Sequence, residues 1–132
     1  MSEYKIVADT SNTDHFARYF CEQDGVVVGE IGGFLTEISK HALLDSIDSY
    51  EVNNGVGTLL LLAFAQWATA QGSEVIIGVF SPTGDPLLTK EWYRRRCIFL
   101  DIYESCFSGN VQAVTEACNR IVLQHQGSEV ES

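Results

Sequence analysis

The chain has 132 residues, of which 45% are hydrophobic and 20% are charged. This length fits one domain, and the hydrophobic content is sufficient for a packed core, so the composition excludes a chain that is disordered throughout. Asp and Glu number 18 against 8 Lys and Arg, which gives a formal net charge of −10. This balance argues against nucleic acids and anionic membranes, whose phosphates attract clustered positive charge, and it favours a cationic or neutral partner.

The sequence carries no signal for export, for a membrane span or for a metal site. The first ten residues do not combine a basic region with an apolar run, and the most apolar stretch, residues 56–65, is too short to cross a bilayer. The four cysteines form no Cys-x-x-Cys pair, and the three histidines are far apart. We therefore expect a cytoplasmic protein with buried, reduced thiols, no membrane association and no bound metal.

The pattern of apolar residues predicts six strands and three helices. In chain order these are strands at residues 4–8, 15–22, 26–37 and 41–50, a helix at 58–71, a strand at 74–80, a helix at 87–96, a strand at 98–103 and a helix at 109–126. Asp24 and Gly25 are a hairpin signal, and Gly72 is placed to end the first helix. The order predicts one α/β (α+β) domain over residues 1–126 with a mixed sheet, followed by a flexible acidic tail at 127–132.

Two of the predicted strands have unusual patterns. The strand at 41–50 alternates between two faces, with Asp45 beside Ile47 on one face and Asp48 beside Leu44 on the other. Polar groups on both faces are unusual at the centre of a sheet. The strand at 74–80 is almost continuously apolar, which predicts burial on both of its faces.

A glycine-containing segment joins the fourth strand to the first helix. Gly55 and Gly57 stand two residues apart at this junction. The first N–H groups of a helix lack intrahelical partners and lie at the positive end of the helix dipole, so such a junction suits a pyrophosphate. The segment fits neither a Walker A motif nor a dinucleotide fingerprint, because it has no Gly-Lys-Ser/Thr and no third glycine. Taken alone, it is also compatible with a plain strand-to-helix turn in a generic α/β domain.

Two blocks of sequence together resemble a known family. Residues 52–57, Val-Asn-Asn-Gly-Val-Gly, resemble the Arg/Gln-x-x-Gly-x-Gly/Ala motif that follows the fourth strand in the GNAT superfamily of N-acetyltransferases. Residues 92–99, Trp-Tyr-Arg-Arg-Arg-Cys-Ile-Phe, are similar to the Phe-Tyr-x-x-x-Gly-Phe at the end of that family's fourth helix. The two blocks are separated by a strand, as in the family, and the resemblance covers about residues 15–103.

The resemblance implies a fold and a co-substrate. The fold is that of the GNAT-like acyl-CoA N-acyltransferases, a central splayed sheet flanked by helices, here with reduced N-terminal helices and an extra C-terminal helix. The co-substrate is acetyl-CoA, with its pyrophosphate on the backbone N–H groups of the glycine segment and its thioester beside the backbone of the fourth strand. The implied cofactor-binding residues are Ile47, Val52, Asn54, Gly55, Val56, Gly57 and Thr58.

The resemblance also implies catalytic residues. Tyr93 matches the tyrosine that protonates the departing CoA thiolate in many members, and a phenol with a pKa of ~10 is protonated at neutral pH. A general base is expected for the acceptor amine, and His41, near the start of the fourth strand, is one candidate. Asp45 and Asp48 are competitors, acting directly or through water. The plainer interpretation is a packed aromatic residue for Tyr93 and ordinary polar residues for the other three.

Half of the basic residues belong to the second predicted helix: Lys90, Arg94, Arg95 and Arg96. One interpretation is functional: these residues attract the phosphates of CoA or contact a partner. The plainer interpretation is that they form a solvated helix face. Successive helix residues are rotated by about 100° from one another, so the three arginines cannot all face one phosphate.

The leading hypothesis is an acetyl-CoA-dependent N-acetyltransferase that transfers an acetyl group directly to an amine of a cationic acceptor. That acceptor is a protein lysine, a protein N-terminus or a polyamine. The alternative is a catalytically degenerate GNAT-fold protein that binds a partner, because Val52 stands where the family has Arg or Gln. A homodimer contact through the closing helix is left open, beside the interpretation that this helix covers a sheet edge.

Overall fold

The computed structural model describes residues 3–37, 41–49, 55–82 and 84–131, with side chains described as far as residue 124. Seven strands and three helices lie within these residues. They are β1 (Tyr4–Ala8), β2 (Phe16–Gln23), β3 (Val26–Leu35), β4 (Ala42–Ser49), α1 (Val56–Ala70), β5 (Val75–Val79), α2 (Pro86–Arg94), β6 (Phe99–Leu100), β7 (Cys106–Asn110) and α3 (Val111–Glu131).

The strands form one mixed sheet, as predicted. Their spatial order is β1-β2-β3-β4-β5-β7-β6. Every neighbouring pair is antiparallel except β4 and β5, which are parallel. A parallel pair needs a crossover between its strands, and α1 is that crossover.

The connection between β1 and β2 is a short turn. The side chain of Asn12 bridges it, accepting a hydrogen bond from the backbone N–H of Arg18 at 2.7 Å and donating one to the Arg18 carbonyl oxygen at 2.9 Å. Residues 9–15 contain no helix. The prediction of reduced N-terminal helices is therefore confirmed.

All three helices pack on one face of the sheet. A Cβ on Gly33 would meet Phe64 of α1, and a Cβ on Gly109 would meet Val114 of α3. The strand register places these two glycines on the same face. Helix α2 joins this face because Tyr93 stacks on an aromatic residue of β7. The buried apolar residues of the strands and of all three helices form a single core cluster.

The opposite face of the sheet, which we call the open face, carries none of the described helices. A row of apolar residues crosses four strands there: Phe16 pairs with Phe34, Phe34 with Leu43, and Leu43 with Ile77. Phe34 is 40% exposed and Val79, also on this face, is 70% exposed. The prediction that the strand at 74–80 is buried on both faces is therefore wrong, because only its other face is covered by helices.

A β-bulge interrupts β4. Gly33 pairs with Leu44 and Gly32 pairs with Ser46, so Asp45 is an extra residue opposite β3. A bulge of one residue reverses the facing of every residue after it. The simple alternation predicted for residues 41–50 is wrong for this reason.

The C-terminal part differs from the prediction at three places. Strand β6 has two residues instead of six, and β7 was not predicted. The carboxylate of Asp101 accepts a hydrogen bond from the backbone N–H of Ser105 at 2.9 Å and turns the chain between these strands. Asn110 caps α3 by accepting from the N–H of Ala113 at 3.0 Å, and α3 continues to Glu131, past the predicted end at residue 126. The flexibility of residues 127–132 stays a prediction.

Three smaller findings concern thiols, metals and membranes. Cys21 and Cys118 are buried, whereas Cys97 is partly exposed and Cys106 is exposed, so burial holds for only two of the four thiols. The described part of the chain contains no group of three or more His, Cys, Asp or Glu that could hold a metal ion. No helix in that part is long and apolar enough to span a bilayer.

Candidate active site

A cleft opens where β4 and β5 separate. The two strands pair at only two positions, Ala42 with Ile76 and Leu43 with Ile77. Beyond these pairs the C-terminal halves of the strands diverge around a cavity of about 750 Å³. The sheet is therefore splayed, as the fold prediction required.

The cleft connects the two faces of the sheet. On the helix side it is lined by the start of α1 and by Trp92 and Tyr93 of α2. On the other side it is lined by the β4 residues Asp45, Ser46 and Asp48. Within the described ranges, residues 44–48 of β4 pair with no strand on this side, so this stretch of backbone can take part in binding a ligand. Two molecules can thus approach each other through the sheet from opposite faces.

The first turn of α1 lines the helix side of the cleft. Its N-cap, Gly55, has a φ of 86°, which favours glycine, and provides no side-chain cap. The first turn also contains no acidic residue. The positive end of the helix dipole therefore faces the cleft, and no carboxylate in the first turn of α1 neutralises it. This arrangement favours an anionic ligand.

Position 57 has no room for a side chain, because Trp92 lies against it. A Cβ at this position would lie 2.9 Å from Cζ2 of Trp92, a distance that real Cβ contacts essentially never show. Glycine thus lets α2 approach the start of α1 closely, so that both helices line one cleft.

We expect Gly57→Ala to lower the free energy of unfolding by about 1 kcal/mol. The overpacking against Trp92 exceeds the ~1 kcal/mol advantage of alanine in a helix. Urea denaturation measures the change, and Gly84→Ala is the control, because a Cβ at Gly84 has no atom within 4 Å. An increased stability of Gly57→Ala would contradict the contact.

Tyr93 is held rigidly at the inner wall of the cleft. It is 8% exposed, stacks on Phe107 with ring centroids 4.9 Å apart and meets Trp92 edge-on at 5.2 Å. Burial raises the pKa of Tyr93 to about 12, because an apolar environment disfavours the phenolate. The phenol therefore remains a hydrogen-bond donor at every physiological pH.

Arg96 lies between α2 and the first turn of α1. It is 6% exposed and lines the cleft. Its Nε and Nη2 donate to Oγ1 of Thr58 at 3.1 and 2.8 Å, and its Nη1 donates to the carbonyl oxygen of Trp92 at 2.7 Å. Burial lowers the pKa of Arg96 to about 10, since the charged form is desolvated.

The structure brings most of the predicted site residues together. Seven of them line the cleft: Asp45, Ile47, Gly55, Val56, Gly57, Thr58 and Tyr93. Val52 and Asn54 lie outside the described residues. The roles of all these residues stay predictions.

His41 is the one described candidate that the cleft does not include. It precedes Ala42, at the end of β4 that is still paired with β5, and its carbonyl oxygen accepts a hydrogen bond from the N–H of Thr36 at 2.9 Å. Six residues of extended chain separate it from Ile47, a span of roughly 20 Å. The proposed action of His41 as a base beside Ile47 therefore has no support in this geometry.

Sequence reasoning named Arg96 only as one of four basic residues of the second predicted helix and missed its burial against Trp92. Arg94 does pair with Glu91 on an exposed surface, as expected for a solvated helix face. Arg96, however, follows Trp92 by four residues and Tyr93 by three, which places it near the same side of the chain as the buried aromatic residue. That spacing was the available signal for a buried arginine.

Comparisons with known proteins agree with the fold. No family model matches the sequence, and no curated protein matches it. Nourseothricin acetyltransferase is similar in structure, with 12% identity, a TM-score of 0.65 and coverage of 83% of this chain and 84% of that chain. A GNAT-family acetyltransferase from Streptococcus pneumoniae has 16% identity and a TM-score of 0.61 over 76% and 69% of the two chains. The PaiA N-acetyltransferase from Thermoplasma acidophilum, solved in complex with coenzyme A, has 13% identity and a TM-score of 0.62 over 73% and 61%.

All these identities are low, so what the chain shares with the solved acetyltransferases is the arrangement of its strands and helices. The splayed sheet, the β4–α1 junction and α2 are the parts that form the cleft. The chain thus has the GNAT acetyltransferase fold that its two short sequence blocks predicted.

Proposed function

We propose that the protein is an acetyl-CoA-dependent N-acetyltransferase that acts on an amine of a cationic acceptor. The observation that carries the proposal is the composition of the cleft. On the helix side of the sheet it is lined by the N-terminus of α1, which favours anions, and on the open face it is lined by carboxylates. An acceptor amine and an anionic acyl donor can therefore meet between β4 and β5. The structural likeness to acetyltransferases, one of them solved with coenzyme A, supports the choice of donor.

The start of α1 binds the phosphates of the donor. Its N–H groups, together with the absence of an acidic residue in its first turn, fit a diphosphate. Bound acetyl-CoA supplies an activated acetyl group, which the amine takes by direct attack with release of the CoA thiol. Near Ile47, where β4 no longer pairs with β5, its backbone N–H groups donate to the carbonyl oxygen, on which negative charge develops.

Tyr93 stabilises the departing sulfur. A thiol has an ordinary pKa of ~8.5, whereas burial raises the pKa of Tyr93 to about 12. Complete proton transfer from this phenol to a thiolate would therefore be unfavourable. Tyr93 instead donates a hydrogen bond from a fixed position, which offsets the charge that develops on sulfur.

The acceptor side of the cleft selects a cation. Asp45 and Asp48 line this side and are exposed, and the whole chain carries a net charge of −10. Asp45 is the residue that the bulge adds to β4. The neutral amine attacks, Asp45 accepts the proton that the nitrogen loses once the C–N bond has formed, directly or through water, and the departing thiolate takes its proton from solvent. A protein lysine, a protein N-terminus and a polyamine all meet these requirements. The open face leaves room for a macromolecular acceptor.

The proposal is tested by calorimetric titration of acetyl-CoA and CoA, followed by an assay of thiol release. A lysine-rich peptide and a polyamine are the trial acceptors, and an acidic peptide with one lysine is the control. Binding of acetyl-CoA with thiol release that depends on the cationic acceptor would support the proposal. Absence of binding by both nucleotides would overturn it.

A catalytically degenerate binding protein is the second candidate. Val52 replaces the Arg or Gln of the family motif, and this substitution favours a protein that has lost catalysis. Binding of acetyl-CoA without thiol release to any cationic acceptor would favour this candidate.

The pH dependence of the reaction follows from the burial of Tyr93. A raised pKa keeps this phenol protonated well above neutral pH. With a lysine peptide as acceptor, we expect kcat/KM to rise up to about pH 10, since the free amine has a pKa of ~10.4. A pH–rate profile from pH 7 to 10 is the measurement, and a descending limb centred near pH 9 would contradict the assignment of Tyr93.

A further inference from the structure

We propose that Arg96 binds a phosphate of acetyl-CoA through its guanidinium group, as a buried cation beside the first turn of α1. This inference rests on the proposed function. The residue is 6% exposed and lines the cleft.

Among the residues described, no carboxylate pairs with Arg96, and the neighbouring thiol of Cys118 is neutral because burial raises the pKa of Cys118 to about 12. The other cations of the structure that form ion pairs do so at partly exposed positions: Arg18 with Glu30, Lys90 with Glu104, and Arg94 with Glu91. The oxygen atoms bonded to Arg96 are a hydroxyl and a carbonyl, which are both neutral. A buried charge that lacks an opposite charge is costly, so its presence calls for an explanation.

The position of the guanidinium adds to that cost. It bonds to Thr58, in the first turn of α1, where the helix dipole is already positive. Two positive potentials therefore converge on the same part of the cleft, and no acidic residue of that turn offsets them. A bound phosphate is negative and accepts hydrogen bonds, so it would offset both the charge of Arg96 and the positive end of the helix dipole.

The guanidinium is fixed before any ligand arrives. Its Cζ lies 4.0 Å from the centre of the Trp92 ring, and two of its nitrogens bond to the single hydroxyl of Thr58. These bonds and the one to the Trp92 carbonyl use three of the five N–H groups of an arginine. The remaining two can bind an anion with little loss of side-chain freedom.

A purely structural role is the competing explanation, since Arg96 also ties α2 to α1. The two roles differ in their effect on the free protein. An arginine with a purely structural role stabilises the ligand-free protein. An arginine that serves to bind a ligand lowers the free energy of unfolding of the ligand-free protein or leaves it unchanged, because the cost of burying its charge is offset only when the ligand binds.

The test compares Arg96→Met with Arg94→Met, which removes the same charge from an exposed ion pair outside the cleft. Calorimetry uses three probes: inorganic pyrophosphate, CoA, and pantetheine, which has no phosphate. We expect Arg96→Met to weaken the binding of pyrophosphate and CoA by 10- to 100-fold, with pantetheine unchanged and Arg94→Met within about twofold. Urea denaturation should show no loss of stability in ligand-free Arg96→Met.

Three results would overturn the inference. One is equal affinity of Arg96→Met and the unsubstituted protein for pyrophosphate, or no pyrophosphate binding by either. Another is an equal loss of affinity for CoA and pantetheine, and the third is a large loss of stability without ligand. Failure of the proposed function is distinct, because Arg96→Met would then weaken CoA binding as expected while neither protein releases thiol from acetyl-CoA with any acceptor.

Discussion

Replacement of Tyr93 by phenylalanine is expected to lower kcat by about 10²- to 10³-fold, with acetyl-CoA affinity changed by less than about twofold. The ring would remain stacked on Phe107 and edge-on to Trp92, because both contacts involve only its carbon atoms. Only the hydroxyl is lost, and with it the proposed hydrogen-bond donor to the charge that develops on sulfur. Steady-state kinetics and calorimetry on the same preparations separate the two effects.

Tyr19→Phe is the matched control for this prediction. Tyr19 is also partly buried, and burial raises its pKa, but it lies in a shallow groove beside Ile6 and Trp67, away from the cleft. Its loss of a hydroxyl should leave kcat unchanged. Full activity of Tyr93→Phe would show that another group stabilises the leaving thiolate, whereas equal losses in both variants would indicate a general packing effect.

Replacement of Gly33 by alanine is expected to reduce the free energy of unfolding by about 3 kcal/mol or more. A Cβ at this position would lie 2.2 Å from the carbonyl oxygen of Leu43 and 2.7 Å from ring atoms of Phe64. The first contact is with backbone in the middle of the sheet and the second is with a fully buried ring of α1. Neither neighbour can move without separating β3 from β4 or α1 from the sheet.

The adjacent residue provides a stringent control. A Cβ on Gly32 points to the open face, where its nearest neighbour is Oγ of Ser46 at 3.5 Å. Gly32→Ala should therefore be close to neutral, or slightly stabilising because alanine restricts the unfolded chain. Urea denaturation of both variants measures the contrast, and similar stabilities would show that the helices do not cover the face assigned to them.

Local signals in the sequence were sufficient for much of the fold. The β2–β3 hairpin is an example, because Asp24 and Gly25 adopt φ values of 53° and 79°, the conformation that an Asp-Gly pair favours in a two-residue turn. The end of α1 is another, since Gly72 has a φ of 80°. In both cases a few neighbouring residues determine the backbone.

Features that depend on distant residues were not predictable. Strand β7 contains Ser, Gly and Asn, which are poor indicators of a strand, and it is stabilised by pairing with β5 and β6. The bulge at Asp45 is visible only in the pairing of β4 with β3, a strand that lies elsewhere in the sequence. Periodicity assumes a regular strand, so it gave the wrong facing for the residues after the bulge.

The candidate site shows the same division. Gly55, Gly57 and Tyr93 were identified because they match short motifs, and the structure places all three in one cleft. His41 lies outside the cleft, next to the part of β4 that pairs with β5. Its distance from the cleft depends on where β4 and β5 separate, and the sequence does not indicate that point. Arg96 was named only together with Lys90, Arg94 and Arg95, because an arginine is almost always exposed and its burial is decided by the helix packed against it.

The placement of all three helices over one core has a further consequence for measurement. A small domain with one apolar core unfolds cooperatively, so binding at the start of α1 is coupled to the unfolding of the whole domain. A ligand held there must then stabilise the whole domain by its own binding free energy, about 2.7 kcal/mol at a concentration 100 times its Kd. The melting temperature of the entire protein therefore reports how much ligand is bound in the cleft.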